Sequence, residues 1–229
     1  MLDIVGLIPA RFNSKRVPKK NTRILGDKPL IAWTINLANE VEGLSDVYVS
    51  TDSTEISDLA IKYGAKSPWM RSSDLAHDNA LTIDVVLDFI DKLEEIDRLP
   101  DGILLLQPTS PFRSKKSVLD AIQIFEEDLS KSVVSFSKAS IYPEWCFRLN
   151  KKEIIPITSW QETKKRSQDI DDTFQLNGLI YLASPDFIRS NKSFINSSTK
   201  PLIIESEFED LDIDTETDFL HAKEIAKKI

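Results

Sequence analysis

Four short apolar runs constrain this chain more than any other feature. Ile4 to Pro9, Val47 to Ser50, Ile103 to Leu106 and Val133 to Phe136 are four to six residues long and lack polar alternation. Such runs read as strands buried on both faces, an environment found inside a parallel sheet covered by helices on both sides. The stretches between them carry helical spacing. Positions 30, 33, 34, 37 and 38 form one stripe, and Ile56, Leu59, Ala60 and Tyr63 form another that ends at Gly64, a C-cap. Ile83, Val86, Leu87, Ile90 and Leu93 make a third, and Val118, Ala121, Ile122 and Phe125 a fourth. Strand–helix alternation of this kind predicts an α/β, Rossmann-like fold with a mostly parallel sheet. The rhythm breaks after Phe136. Residues 139–176, with Pro143, Trp145, Pro156 and Trp160, read as an insert outside the core. Strands return at Gly178 to Ala183 and Leu202 to Ile204, and a helix runs from about Thr215 to Lys228. At 229 residues, the reading is one domain, 1–229, with 139–176 inserted.

Charge narrows the ligands. The chain carries 29 basic and 37 acidic residues, a net of −8, which disfavours a nucleic acid polymer as partner. Residues 1–23 nevertheless hold six basic side chains (Arg11, Lys15, Arg16, Lys19, Lys20 and Arg23) against Asp3 alone, a local charge of +5. A cationic loop on an anionic body suits a small anion. The single cysteine, Cys146, excludes a disulfide framework or a cysteine zinc cluster and reads as packing. His77 and His221 stand apart without ligand spacing and give little support for zinc. No apolar run reaches the ~18 residues of a membrane span, and Met1-Leu2-Asp3 opens directly into a strand-like segment. The expectation is a cytoplasmic protein without membrane contact.

The cationic loop follows the first strand at its C-terminal end, where open α/β sheets bind ligands. It contains neither G-x-G-x-x-G nor G-x-x-x-x-G-K-[ST], so no ordinary dinucleotide fold or P-loop is indicated. Lysines and a forked guanidinium suit a triphosphate, and a solvated basic loop is the bland alternative. At the other end, Glu205 to Asp218 holds eight carboxylates and no basic residue. This is either a solvated turn, with Asp214 as N-cap of the last helix, or a metal-holding pair. Asp212 and Asp214 lie two apart, and on an extended segment both face one side, an arrangement that suits Mg²⁺.

The motifs carry a resemblance. Pro9-Ala10-Arg11, Ser14-Lys15, Pro18 and Lys20-Asn21 resemble the P-A-R-x-x-S-K-x-x-P-x-K-N signature of the N-acylneuraminate cytidylyltransferases, which make CMP-nonulosonic acids. Leu105-Leu106-Gln107-Pro108-Thr109-Ser110-Pro111-Phe112-Arg113, Asn177-Gly178-Leu179-Ile180-Tyr181 and Asp212-Ile213-Asp214-Thr215-Glu216-Thr217-Asp218 resemble further motifs of the family, in order. Val49 to Asp52 and Met70 to Ala76 also fit. The likeness runs from residue 4 to 220 and is weakest over 139–176. Where many members have glycine after the arginine, this chain has Phe12-Asn13.

The resemblance implies a nucleotide-diphospho-sugar transferase type of fold and a reaction of CTP with a nonulosonic acid of sialic, legionaminic or pseudaminic type. It implies that Arg11, Lys15 and Lys20 hold the phosphates, that Ala10 and Asn21 border the nucleotide, and that Arg71, Ala80 and Thr82 frame the cytidine. Gln107, Arg166, Asn177 and Tyr181 are implied for the acid sugar, with Phe194 as a contribution between subunits of a homodimer joined through 139–176. Asp212 and Asp214 are implied for Mg²⁺, and Arg11, Lys15 and Asp214 for catalysis. Read without the resemblance, Arg71 is a surface arginine and Tyr181 a core residue. Two rival functions remain open on the sequence: a sugar-1-phosphate nucleotidyltransferase of the same fold, and a non-catalytic nucleotide-binding protein.

Overall fold

The first apolar run becomes a strand because both of its faces are covered. The computed structural model describes residues 2–228. In it, β1 (Ile4–Pro9) sends Val5 and Leu7 into one core and Ile4 and Ile8 into another, all without exposed surface. A small ribbon, β2 (Ile24–Leu25) and β3 (Lys28–Pro29), leads into α1 (Leu30–Glu40). There follow β4 (Leu44–Ser50), α2 (Thr54–Lys62), α3 (Thr82–Glu94), β5 (Gly102–Leu105), α4 (Lys115–Glu127) and β6 (Val133–Lys138). A hairpin of β7 (Phe147–Asn150) and β8 (Glu153–Pro156) intervenes. The chain then completes β9 (Phe174–Ala183), α5 (Pro185–Asn191), β10 (Lys200–Ile204) and α6 (Glu216–Ala226).

The main sheet has the order β10-β6-β9-β5-β1-β4. Only β9 runs antiparallel to its neighbours; the other pairings are parallel. Helices α1, α2 and α4 cover one face through Ile31, Ile35, Ile56, Ala60, Val118 and Phe125. On the other face, α3 and α5 bring Val86, Phe89, Ile90, Phe187 and Ile188. A third cluster closes one end, where Phe219, Ala222 and Ile225 of α6 meet Val17, Leu25 and Leu30. The α/β expectation therefore holds.

Local chemistry sets the helix ends. The Ser53 hydroxyl accepts from the Ile56 amide at the start of α2, and Gly64 takes φ +92 just beyond its end, a conformation that costs glycine little. At α6 the N-cap is Thr215, which exchanges hydrogen bonds with Asp218 in a capping box. Asp214 is therefore not the cap of that helix.

Two expectations need correcting. The buried stripe of α1 includes Ile31 and Ile35 and leaves Trp33 and Leu37 only partly buried, because the helix packs against the sheet on one side and the α6 end on the other. The returning strand begins at Phe174, four residues before Gly178, and pairs Phe174, Gln175 and Leu176 with Lys138, Ser137 and Phe136. Phe174 and Leu176 are exposed, so this stretch lacks the apolar block that marks the buried strands. The hairpin forms no part of the main sheet. Ile141, Trp145, Phe147, Leu149, Ile154, Ile155, Ile157 and Trp160 of this arm are all exposed.

Candidate active site

The C-terminal ends of β1, β4 and β5 open onto a cleft of about 520 Å³, within the usual range for a small-ligand site. The loop after β1 forms one wall and is tied down at several points. The Ala10 amide donates to the Ser50 carbonyl at 2.9 Å. The Phe12 amide donates to Asp52 at 2.8 Å, and buried Asn21 donates its side-chain amide to the Arg11 carbonyl at 3.0 Å. Val17 is buried in the α6 cluster and anchors the middle of the loop. These bonds aim Arg11, Lys15, Arg16 and Lys20 into the cleft.

Phe12-Asn13 does not disturb this wall. Asn13 keeps an ordinary negative φ, and the left-handed residue of the loop is Lys19, at φ 53. The Phe12 ring packs against the core with the Lys19 ammonium 5.6 Å from its centroid. The loop thus reaches its shape without a glycine.

The opposite wall comes from the segment after β4 and the start of α3. Arg71 is buried, so the surface-arginine alternative fails. Its Nε donates to the Ser50 hydroxyl at 3.1 Å and its Nη2 to the Ser50 carbonyl, while its own amide meets the Thr51 carbonyl at 2.7 Å. Burial pushes the guanidinium below the ordinary arginine range, opposed by Asp52 and Asp88; it remains cationic at neutral pH. Ala80 and Thr82 line the same wall.

Gln107, two residues beyond β5, also faces the cleft and donates Nε2 to the Gly178 carbonyl at 3.4 Å. Beneath it, fully buried Arg113 bridges two carbonyls, donating Nε to Leu179 at 2.7 Å and Nη2 to Gln107 at 3.1 Å. This guanidinium staples β5 to β9. Gly178 occupies φ +74 at that junction, where a side chain would be strained.

The acidic end lies beside the same loops. The Ile213 amide donates to the Thr109 carbonyl at 2.9 Å, and Lys20 Nζ donates to the Ile213 carbonyl at 2.6 Å. Asp214 lines the cleft and accepts Arg16 at 2.9 Å, with Lys20 at 3.8 Å. Asp212 is exposed on the same turn, with Asp214 two residues on. Crowding by protein, then the like charge of Asp214, still raises its carboxyl above the usual range. Lys20 is pushed down by burial, against the pull of Asp214 and Asp212.

The remaining expected residues sit elsewhere. Asn177 is buried, and its Oδ1 accepts from the Ser135 hydroxyl at 2.6 Å and the Leu179 amide at 3.2 Å. It is a clamp inside the sheet and does not line the cleft. Tyr181 is partly buried between β5 and β6; burial and then Asp212 raise its hydroxyl. Phe194 packs 5.7 Å from Tyr181 and is buried in its own chain's core, so it offers no side chain to a second subunit. Arg166 is exposed on the arm and held by Asp169 at 2.7 and 3.2 Å, away from the cleft. Sequence reasoning missed Asp78, Arg16 and Thr109, which the cleft brings in. Arg16 carried a signal in the loop's charge count; a single aspartate in a polar turn carried none.

A mostly parallel sheet with a cation-lined cleft at its strand ends is the architecture of the nucleotidyltransferases. A CMP:2-keto-3-deoxy-manno-octonic acid synthetase complexed with CTP shares the fold at TM-score 0.74, with 18% identity, over 99% of this chain and all of that one. A 4-diphosphocytidyl-2C-methyl-D-erythritol synthase does so at 0.69, with 12% identity, over 99% and all of the respective chains. Residues 5–228 match the cytidylyltransferase family, and the chain belongs to it. Among curated relatives, the CMP-N,N'-diacetyllegionaminic acid synthase of Legionella pneumophila is 42% identical over 217 residues, 94% of this chain and 93% of its own length. The pseudaminic acid cytidylyltransferase of Campylobacter jejuni is 30% identical, over 96% and 95% of the two chains. An N-acylneuraminate cytidylyltransferase of Streptococcus agalactiae is 33% identical over 94% of this chain, which spans about half of that longer protein.

Proposed function

We propose that this enzyme transfers CMP from CTP to the anomeric hydroxyl of a nonulosonic acid, with a legionaminic acid as the preferred acceptor. The observation that carries this reading is the cleft itself, where Arg11, Lys15, Lys20, Arg71, Gln107 and Asp214 converge on one cavity. Identity of 42% along nearly the whole length of the Legionella protein supports the choice of sugar.

In this reading the anomeric oxygen bonds to the α-phosphorus, the bond from that phosphorus to the bridging β-oxygen breaks, and pyrophosphate departs in line. Arg11 and Lys15 take the charge of the departing group, so they contribute most where that charge develops. Lys20 holds the nucleotide phosphates from the floor, with Ala10 and Asn21 beside them. Arg71, Ala80 and Thr82 frame the cytosine, Gln107 and Tyr181 meet the acid sugar, and Asp214 accepts the hydroxyl proton on a carboxylate oxygen that the metal leaves free.

Asp212 and Asp214 fit a divalent cation. They flank buried Ile213, they feel each other's charge, and the Thr109 side chain stands beside them. Two carboxylates, with the rest of the shell left to phosphate and water, are a donor set that Mg²⁺ accepts. When bound, Mg²⁺ would neutralise phosphate charge and polarise the phosphoryl centre.

The arm at 139–176 is assigned to a homodimer interface. Many of its apolar side chains are exposed, and exposed apolar surface on that scale supports an interaction site. No helix among the described residues is long and apolar enough to cross a membrane. We place the enzyme in the cytoplasm, with its CTP.

The test is pyrophosphate release from CTP with legionaminic, pseudaminic and sialic acids offered separately. The reading expects release only with a nonulosonic acid present, fastest with the legionaminic type, and at least ~100-fold slower with UTP, whose base cannot pair with groups that read the N4 amine. Release driven by a sugar 1-phosphate, or none with any acceptor, would select one of the rival functions.

A further inference from the structure

The cationic loop does not wait empty. Arg11 Nη1 donates to Asp78 Oδ1 at 2.7 Å, and Lys15 Nζ donates to Asp78 Oδ2 at 2.6 Å. One carboxylate thus spans the two side chains assigned to the departing phosphates. It reaches them from the opposite wall, on the turn between Arg71 and α3, and it lines the same cavity.

A local charge of +5 over residues 1–23 would repel itself without counter-charges. Arg23 has Glu216 at 2.5 Å and Arg16 has Asp214 at 2.9 Å. For Arg11 and Lys15 the counter-charge is Asp78. A carboxylate oxygen and a phosphate oxygen take the same charge-assisted donors, so occupancy by one weakens the other. Both pairs face solvent, with Arg11 34% and Lys15 79% exposed, and pairs of that kind are weak enough for a polyanion to break.

We propose that Asp78 is an internal anion that occupies the phosphate cradle of the free enzyme, is displaced by the triphosphate, and competes with pyrophosphate for the same donors. This rests on the assignment of Arg11 and Lys15 to the departing phosphates. Asp78 sets affinity for polyphosphate and leaves recognition of the base untouched.

Calorimetric titration of metal-free pyrophosphate, and separately of CMP, into the wild-type protein and the Asp78→Asn, Asp78→Ala and Arg11→Ala variants tests it. Two exposed ion pairs correspond to about a three- to tenfold change in affinity. Both Asp78 variants should bind pyrophosphate tighter by that factor and CMP with unchanged affinity. Pyrophosphate affinity that is unchanged or weaker in both Asp78 variants, while Arg11→Ala weakens it, overturns the internal anion and leaves the cradle standing. Unchanged affinity in Arg11→Ala removes the cradle and the proposal with it. A gain for pyrophosphate and CMP alike also overturns the proposal, since a general loosening of the turn would give that result.

Discussion

The nucleotide wall and the arm are built by opposite rules. Around the nucleotide cleft the loops are pinned by hydrogen bonds, from the side chains of Asn21 to Arg11 and of Arg71 to Ser50, and from the backbone amide of Ile213 to the Thr109 carbonyl. Behind them lie Ile8, Leu104 and Leu106, all fully buried. The arm has a two-stranded hairpin with every residue of β7 exposed and Leu149 79% exposed. One region is complete within its own chain. The other presents apolar surface that its own chain does not cover, which is how a segment looks when its packing partner is a second molecule. The comparison teaches where each region finds its packing: the cleft is lined by residues of the first loop, the α3 wall and the β5 end, none of them from 139–176, whereas the arm leaves its apolar side chains exposed.

The comparison breaks most directly through packing. Phe125 is fully buried against the sheet, so Phe125→Ala should cost about 3–5 kcal/mol in urea unfolding. Leu149→Ala, on the arm, should stay within about 0.5 kcal/mol for the monomer. Similar losses at the two positions would mean that the arm folds onto its own core.

Next in size is the acidic pair. Asp212→Asn and Asp214→Asn should each lower kcat by about 10²–10³-fold, the scale on which transition-state charge stabilisation is lost, with circular dichroism unchanged. Near-normal turnover at limiting Mg²⁺ in both variants would remove the metal assignment.

A smaller effect belongs to the scaffold alone. Asp128, in the turn after α4, is held at about pKa 2 by the Ser130 hydroxyl, with Lys131 and the Ser130 amide adding to it. Its folded value lies below the ordinary aspartate range, so the stabilisation is complete above about pH 4 and is lost as pH falls through about 2. Asp128→Asn should therefore lower the melting temperature slightly at pH 7 and match the wild type near pH 2. A difference that persists unchanged at pH 2 would assign the effect to something other than this carboxylate.

The buried strands were legible because Ile4 to Pro9 or Ile103 to Leu106 have no polar face to confuse the period. Strand β9 was legible only in its buried half, since Phe174 and Leu176 are exposed and carry no such signal. Within the site, the first loop could be read because its cations and prolines are contiguous. Asp78 could not, because what matters about it is a contact across 67 residues with Arg11. Phe194 was misread for a related reason: an aromatic in a polar loop gives no sign that it folds back onto Tyr181. Contiguous chemistry survives in a sequence, and chemistry assembled across the sheet needs the fold.

The decisive measurement is CTP affinity and sugar turnover on a forced monomer. Trp145→Glu places a charge on the exposed arm, 42% open at that residue, without touching the nucleotide wall. Sedimentation should then show a 26.0 kDa species that binds CTP with the wild-type Kd and transfers no CMP to a nonulosonic acid. A monomer with full turnover would contradict the proposed role of the arm as a homodimer interface that the reaction requires.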